Sequence, residues 1–500
     1  MFQYGIMPPA MFLGMIIFML YGFPVAFSLS AVGLFFGLLG IATGHFEFAF
    51  MQALPFRIFG IVSNDLLLAI PFFTFMGAIL ERCGLAEDLL EGTGKLFGAV
   101  PGGLAYAVIV VGAILGAITG TVAASVITMG VISLPIMLKY GYNPRLATGV
   151  IAASGTITQV IPPSLVLIVL ADQLGRSVGD MYLGAIGPSI LQVTIFMLFI
   201  LGLSIFRPKD VPPLPLEARG EMNMALVMKV LWGMVPSIVL IFLVLGTIFM
   251  GLATPTEAGA LGVVGAMVIA AMHRRLTWDL LRQGMHSTMT ITSMVVFILV
   301  GATCFSLVFQ GMDGGLWIEH LLSHVPGGAL GFLIFVNIFI FFLAFFLDFF
   351  EIAFIVIPML APVASALGID LIWFGVLLCI NMQTSFMHPP FGFALFYLRS
   401  IAPKSVKTKD IYLGAIPWLC MQLVLVAIVI FWPESVTYWL DKAPDVDLNT
   451  IKIEIPGFGN GGGNQMPNFG LPPMDGAPAQ PGQQGLPGMP NFGEPPKINP

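Results

Sequence analysis

The sequence predicts an all-α polytopic membrane protein made of two inverted repeats. Each repeat carries about five transmembrane helices, one re-entrant hairpin and one broken helix. Three observations carry this prediction. The chain is 58% hydrophobic and 9% charged, where an ordinary globular domain is about 25% charged. Its apolar part occurs twice. Its basic residues fall on one side of a single consistent threading.

The duplication shows as landmarks in a fixed order. Val100-Pro101-Gly102-Gly103 returns as Val325-Pro326-Gly327-Gly328, Pro135 as Pro358, and Gly141 as Gly368. Pro162-Pro163 returns as Pro389-Pro390, and Tyr182-Leu183-Gly184-Ala185-Ile186 as Tyr412-Leu413-Gly414-Ala415-Ile416. The offset drifts only from about 223 to about 230 residues. Two copies in a membrane chain mark a secondary transporter, with substrate and ions bound where the repeats meet. A soluble solenoid would show a shorter period and more copies.

The first repeat covers 1–206. Apolar runs near 4–21 and 24–41 pair around Gly22 and Pro24, and a third helix covers 65–80. The N-terminal run has no basic region before it, so it reads as a membrane helix and not as a cleaved signal. A polar amphipathic segment, 84–98, lies at the interface. The apolar stretch 103–138 follows, then a helix at 145–172 broken near 155–163, then one at 182–206. A cytoplasmic linker covers 207–230. The second repeat, 231–432, has helices at 231–250, 256–272 and 285–310 and an amphipathic segment at 313–323. It continues with the stretch 328–365, a broken helix at 371–399 and a last helix at 411–432. The runs are continuous and not alternating, which excludes a barrel. The tail 433–500 is rich in Gly and Pro, mostly beyond 444, and repeats Met466-Pro467-Asn468-Phe469-Gly470 as Met489-Pro490-Asn491-Phe492-Gly493. It has too few core-forming residues to offset ordering entropy and is expected to be disordered.

Stretches 103–138 and 328–365 are too long for one crossing of a core roughly 30 Å thick at 1.5 Å per residue. Neither midpoint suits an aqueous turn. Gly116-Ala117-Ile118-Thr119-Gly120-Thr121 has no charge, and Phe345 to Glu351 has no Gly, Pro or Asn. Both therefore read as re-entrant hairpins whose tips lie inside the protein, where irregular backbone can line a cavity. With five crossings per repeat the second copy is inverted. Arg82, Lys95, Lys139, Arg145, Arg207, Lys209, Arg275, Arg399 and Lys407 then share one side with most other basic residues, and only Arg57 and Arg176 reach the other. The basic side is the cytoplasm, and both termini face out.

Polar groups within apolar runs are the candidates for chemistry, because lipid penalises them unless they serve a cavity. Asp348 and Glu351 are the acids deep in the hydrophobic region, three apart and so on one helix face. They suit cation coordination or proton exchange; bonding to helix ends is the structural alternative. Gly155, Thr156 and Thr158 precede Pro162-Pro163; Asn381, Gln383, Thr384 and Ser385 precede Pro389-Pro390. Proline removes one donor and frees the carbonyl four residues back. Carbonyls, hydroxyls and amides together suit dehydrated Na⁺, and the resumed half-helix offers its N-terminus to an anion. Thr119, Gly120, Thr121 and Ser125 sit at the first hairpin tip as further ion ligands. Pro162, Pro163, His388, Pro389 and Pro390 are the candidates to meet substrate. Na⁺ is the only metal expected, as coupling ion, and no cofactor. The four cysteines read as packing residues. The chain holds no Walker A sequence, no His-Glu-x-x-His and no Gly-x-Ser-x-Gly, so neither ATP-driven transport nor an enzyme is indicated, and nucleic acid is not an expected partner.

These residues resemble the large membrane subunit of the tripartite ATP-independent periplasmic (TRAP) transporters, the DctM-like type. The resemblance rests on Gly251 to Ala260 (GLATPTEAGA), on Phe346-Leu347-Asp348 followed by Pro358, and on Gln383-Thr384-Ser385 followed by Pro389-Pro390-Phe391-Gly392. It covers about residues 5–432. It implies an elevator-type permease of the bacterial inner membrane that imports a small organic acid on a Na⁺ gradient. It also implies two partners: a separate small four-helix membrane subunit and a periplasmic solute-binding protein. The alternative within transport is a stand-alone Na⁺/dicarboxylate symporter, which shares the hairpin and broken-helix design.

Overall fold

The computed structural model describes residues 5–215, 217, 224–323, 325–345, 347–390 and 392–440. Among them there is no strand. The first repeat runs α1 (Met7–Leu20), α2 (Val25–Thr43), α3 (Phe48–Met51), α4 (Leu54–Val62), α5 (Ala69–Arg82), α6 (Leu85–Leu96), α7 (Gly103–Thr119), α8 (Val122–Lys139), α9 (Pro144–Thr156), α10 (Leu165–Leu174) and α11 (Val178–Phe206). The second runs α12 (Met224–Phe249), α13 (Pro255–Met272), α14 (Trp278–Gly311), α15 (Gly314–Ser323), α16 (Gly328–Leu343), α17 (Phe349–Ala366), α18 (Leu371–Ser385), α19 (Phe393–Ile401) and α20 (Thr408–Phe431). A short α21 (Glu434–Thr437) follows.

Local chemistry sets these boundaries. Asn143 precedes Pro144 and accepts the Arg145 N–H at 3.0 Å, so α9 opens with a side-chain cap and a proline that needs no donor. Thr254 and Glu257 close a capping box on α13. Ser164 restarts the first broken helix by accepting the Val166 N–H at 3.1 Å. Asp370 starts α18 through the Trp373 N–H at 2.8 Å.

The repeats are interleaved. α2 packs on α14, and α5 packs on α13 and α14. α9 packs against α20, and α18 against α11 and α20. Each repeat thus completes the other. Glycines set several crossings: a Cβ on Gly414 of α20 would meet the Arg145 carbonyl oxygen at 2.1 Å.

Polar contacts mark two ends of the molecule. At one, Arg82 donates to Gln283 Oε1 (2.8 Å) and Ser287 Oγ (2.7 Å), and Arg275 pairs with Asp88 at 3.4 Å. Arg145 meets Asp410 at 3.0 Å, and Asn143 donates to Asp210 at 3.1 Å. The two groups join where the Gly102 N–H bonds Val211 O and the Leu214 N–H bonds Gly98 O. At the other end, Asn64 donates to Asp172 and Thr256 to the Asp65 carbonyl, both at 2.8 Å. Arginines assigned to the cytoplasm by sequence therefore cluster together, away from the loops assigned outside.

Eight helices among the described residues are long and apolar enough to cross a membrane, or nine if the pair at 48–82, bent by 45°, counts as one span. Length alone miscounts here. α8 and α17 pass the test yet are hairpin arms, while α1 and the halves of the broken helices are too short singly.

Several boundaries differ from expectation. Helices α3 and α4 occupy 48–62, where none is expected, because Pro55 and Arg57 interrupt the apolar pattern. α14 starts at Trp278 and not at 285: Thr277 caps Leu280 at 3.2 Å and carries the helix through polar residues that read as loop. α12 starts inside the expected linker 207–230. Residues 433–440, assigned to the tail, are part of the fold, with Ser435 and Val436 buried. The tail expectation beyond 440, with its repeated motif, lies outside the described residues.

Candidate ion and substrate site

Both hairpins turn back inside the protein, as expected. α7 ends at Thr119, and Gly120 takes φ +61°, a left-handed turn that favours glycine. Cβ atoms on Gly112 and Gly116 would lie 2.7 Å from Ser154 Cβ and 3.0 Å from Thr158 Cα. The arm therefore lies directly on the first broken helix. Its base is clasped where the Leu104 N–H donates to the Tyr142 hydroxyl at 3.3 Å. Burial pushes that phenol up to about 12, so the clasp does not titrate near neutral pH. In the second hairpin, Asn381 Nδ2 donates to the Asn337 carbonyl at 2.8 Å, and His388 stacks on Phe345 with centroids 3.7 Å apart. Each tip thus sits level with the break of its own repeat.

The two acids form a capping box. Asp348 Oδ1 accepts the Phe349 N–H at 2.6 Å, and Glu351 Oε2 accepts the Asp348 N–H at 2.9 Å. This is the bonding to a helix end that the sequence left open. It occupies only part of each carboxylate. Glu351 is buried away from the cavity below, whereas Asp348 reaches it. A single π-type turn, Ile352–Val356, follows Glu351 and has no counterpart in α8.

Both diproline bonds, Pro162-Pro163 and Pro389-Pro390, are cis. The carbonyls near them are partly re-bonded. Gln159 O accepts the Ser164 hydroxyl at 2.6 Å and the Cys379 thiol at 3.3 Å, Val160 O accepts Ser189 at 3.2 Å, and Phe386 O accepts the Ala394 N–H at 3.0 Å. Thr156 and Thr158 donate to Ala153 O and Gly155 O, and Thr384 and Ser385 to Asn381 O and Met382 O. Internal bonding of this kind is what apolar surroundings demand. These hydroxyl oxygens still have a lone pair to offer to a donor or a cation.

One cavity of about 410 Å³ joins the parts. Gly120, Thr121, Asp348, Gln159 and Phe386 bring both hairpin tips and both breaks to its wall. Thr74, Arg82 and Ser287, from α5 and α14, line the same cavity. Of the expected site residues, only Gly120, Thr121 and Asp348 line it. Ser125, Gly155, Thr156, Thr158, Asn381, Gln383, Thr384, Ser385 and His388 are buried behind it, as are Pro162 and Pro163. Pro389 is half-buried and Pro390 exposed, neither on the wall. Thr119 contributes its backbone at the end of α7; its side chain is outside the described set. Among the described residues, no three His, Cys, Asp or Glu side chains gather to hold a metal. The donors at hand are hard oxygens.

The sequence reading missed Gln159, Arg82, Gln192 and Gln422. Gln192 Nε2 donates to Gln383 Oε1 at 2.6 Å, and Gln422 Nε2 to Thr156 Oγ1 at 3.0 Å. For these last two the signal was present: Gln192 and Gln422 each stand ten residues after the tyrosine of the repeated Tyr-Leu-Gly-Ala-Ile.

A family model described as the tripartite ATP-independent periplasmic transporter, DctM component, matches residues 12–435. The chain belongs to that family. It is 30% identical over 386 residues to the C4-dicarboxylate TRAP transporter large permease protein DctM of Pseudomonas aeruginosa, covering 77% of this chain and 88% of that one. It is 27% identical over 414 residues to the sialic acid TRAP transporter large permease protein SiaM of Vibrio cholerae, covering 83% and 93%. It also resembles the isethionate TRAP transporter permease protein DctMQ of Oleidesulfovibrio alaskensis, 25% identical over 429 residues, covering 85% of this chain and 65% of that one. Among solved structures, the Alcanivorax borkumensis YdaH transporter shares the fold, with TM-score 0.55 and 15% identity over 77% of this chain and 88% of that one. This DctM-family chain is thus the large permease subunit of a TRAP transporter, a multi-pass protein of the bacterial inner membrane.

Proposed function

We propose that this DctM-family subunit imports a small organic acid, driven by a Na⁺ gradient, through an elevator motion. The observation that carries the reading is the cavity shared by two hairpin tips, two broken helices and helices α5 and α14. Asp348 stands in that wall, where an uncompensated carboxylate is costly and a bound cation relieves the cost. Arg82, Thr121, Gln159 and Ser287 offer a guanidinium, hydroxyls and an amide to a substrate carboxylate. The substrates for which these relatives are named, a C4-dicarboxylate, sialic acid and isethionate, are all organic acids. The cavity wall includes Arg82 and Ser287 from the basic end, which supports a conformation that faces the cytoplasm. In the elevator reading, α7–α10 and α16–α19 carry the site past a frame built on α2, α5, α13 and α14.

A small membrane subunit and a periplasmic binding protein complete the transporter in this reading. The stand-alone symporter loses support, because the relatives are named as TRAP permease components. The test is uptake into proteoliposomes holding the large and small subunits, with the binding protein outside and a panel of organic acids. Uptake should stop when the Na⁺ gradient collapses and persist without ATP. Full uptake from a proton gradient with Na⁺ absent would refute sodium coupling.

A further inference from the structure

Gln192 of α11 and Gln422 of α20 occupy equivalent places in the two repeats. Both are buried, at 1% and 0% exposure. Each donates its amide to the broken helix of the other repeat. Gln422 holds Thr156 at 3.0 Å, and Gln192 holds Gln383 at 2.6 Å. Thr156 and Gln383 are themselves equivalent, each six residues before the first proline of its diproline pair. One arrangement therefore occurs twice, by two separate stretches of chain. Thr156 also donates to Ala153 O at 2.9 Å, so the glutamine fixes a hydroxyl already tied to the α9 backbone. The second acceptor differs in chemistry, an amide oxygen and not a hydroxyl. The Oε1 atoms of both glutamines and Gln383 Nε2 are buried with no hydrogen-bond partner among the described residues. Packing alone would be served as well by Leu or Met at either position, at no desolvation cost.

We infer that Gln192 and Gln422 are positioning residues, each setting the last α-helical turn before the opposite repeat's break and thereby the geometry of the cation site there. The inference rests on reading the breaks as part of the ion sites. Without the glutamine, the turn before the break loses its tie to the opposite repeat, and ligands carried on it lose alignment.

The test uses the reconstituted transporter with Gln422→Met and Gln192→Met, which keep length and apolar contact but not the bond. Each should raise the driving-cation concentration for half-maximal uptake roughly three- to tenfold, the equivalent of one hydrogen bond. The KM for substrate should move less. A purely structural glutamine would lower the unfolding temperature of the solubilised protein and leave the cation dependence unchanged, and that result overturns the inference. If Gln422→Met does not fold, Gln422→Asn keeps the polarity but cannot span the distance, and the same two outcomes apply. A wild type indifferent to Na⁺ defeats the sodium reading alone. The glutamine inference is then read on the pH dependence of uptake, where an unchanged profile overturns it.

Discussion

Asp348 caps α17 and also lines the cavity, and two substitutions separate these roles. Asn caps a helix about as well as Asp, so Asp348→Asn should leave stability within about 0.5 kcal/mol of wild type. It removes the charge, however, and the Na⁺ concentration for half-maximal uptake should rise about tenfold, equal to about 1.4 kcal/mol. Asp348→Ala loses the cap too and should cost about 1 kcal/mol more in unfolding experiments. Unchanged Na⁺ dependence in Asp348→Asn would make the acid a cap only. Of the polar residues singled out in the sequence, Gly120, Thr121 and Asp348 reach the cavity because a hairpin tip cannot bury all its backbone. The hydroxyls before each diproline are turned inward to satisfy nearby carbonyls, a choice made by three-dimensional neighbours.

The crossing of α9 and α20 is set by glycine. A Cβ on Gly149 would lie 2.3 Å from the Gly414 carbonyl oxygen, and one on Gly414 would lie 2.1 Å from that of Arg145. Backbone cannot give way as a side chain does, so Gly414→Ala should destabilise the solubilised protein by roughly 1–3 kcal/mol. Gly202→Ala, in α11 with nothing within 4 Å of its added carbon, should be neutral or slightly stabilising, because alanine favours helix. Equal unfolding temperatures for the two variants would contradict the crossing. The repeated Tyr-Leu-Gly-Ala-Ile shows that Gly414 has a partner in Gly184. What the glycine touches is visible only once α9 is laid against it.

At the scale of the molecule, the two polar ends predict a labelling pattern. In a background with Cys420→Ser, a cysteine at Arg176 should react with an impermeant thiol reagent applied to intact cells. One at Lys209 should react only after permeabilisation. Both positions are exposed, so access and not burial decides the result. Labelling at Lys209 from outside would overturn the threading. The threading follows from basic residues and an odd number of crossings per repeat. The frame pairs α2 with α14 and α5 with α13 follow from neither, since they join helices of opposite repeats.

By itself the sequence determined the class, the repeat, the hairpins and the breaks. Each is written in covalent order: apolar run length, proline pairs, and landmarks returning at a near-constant offset. A helix boundary was legible where the cap was local and the flank apolar. It was missed at Trp278, at Met224 and over 48–62, where polar residues or a proline blurred the pattern. Only the tertiary structure decided which polar groups meet. Thr156 meets Gln422, Gln383 meets Gln192, and Arg82 and Asp348 line one cavity. The reason is physical. A buried donor in an apolar interior favours an acceptor wherever the fold brings one, and for Gln192 and Gln422 that acceptor belongs to the other repeat, more than 190 residues away in the chain.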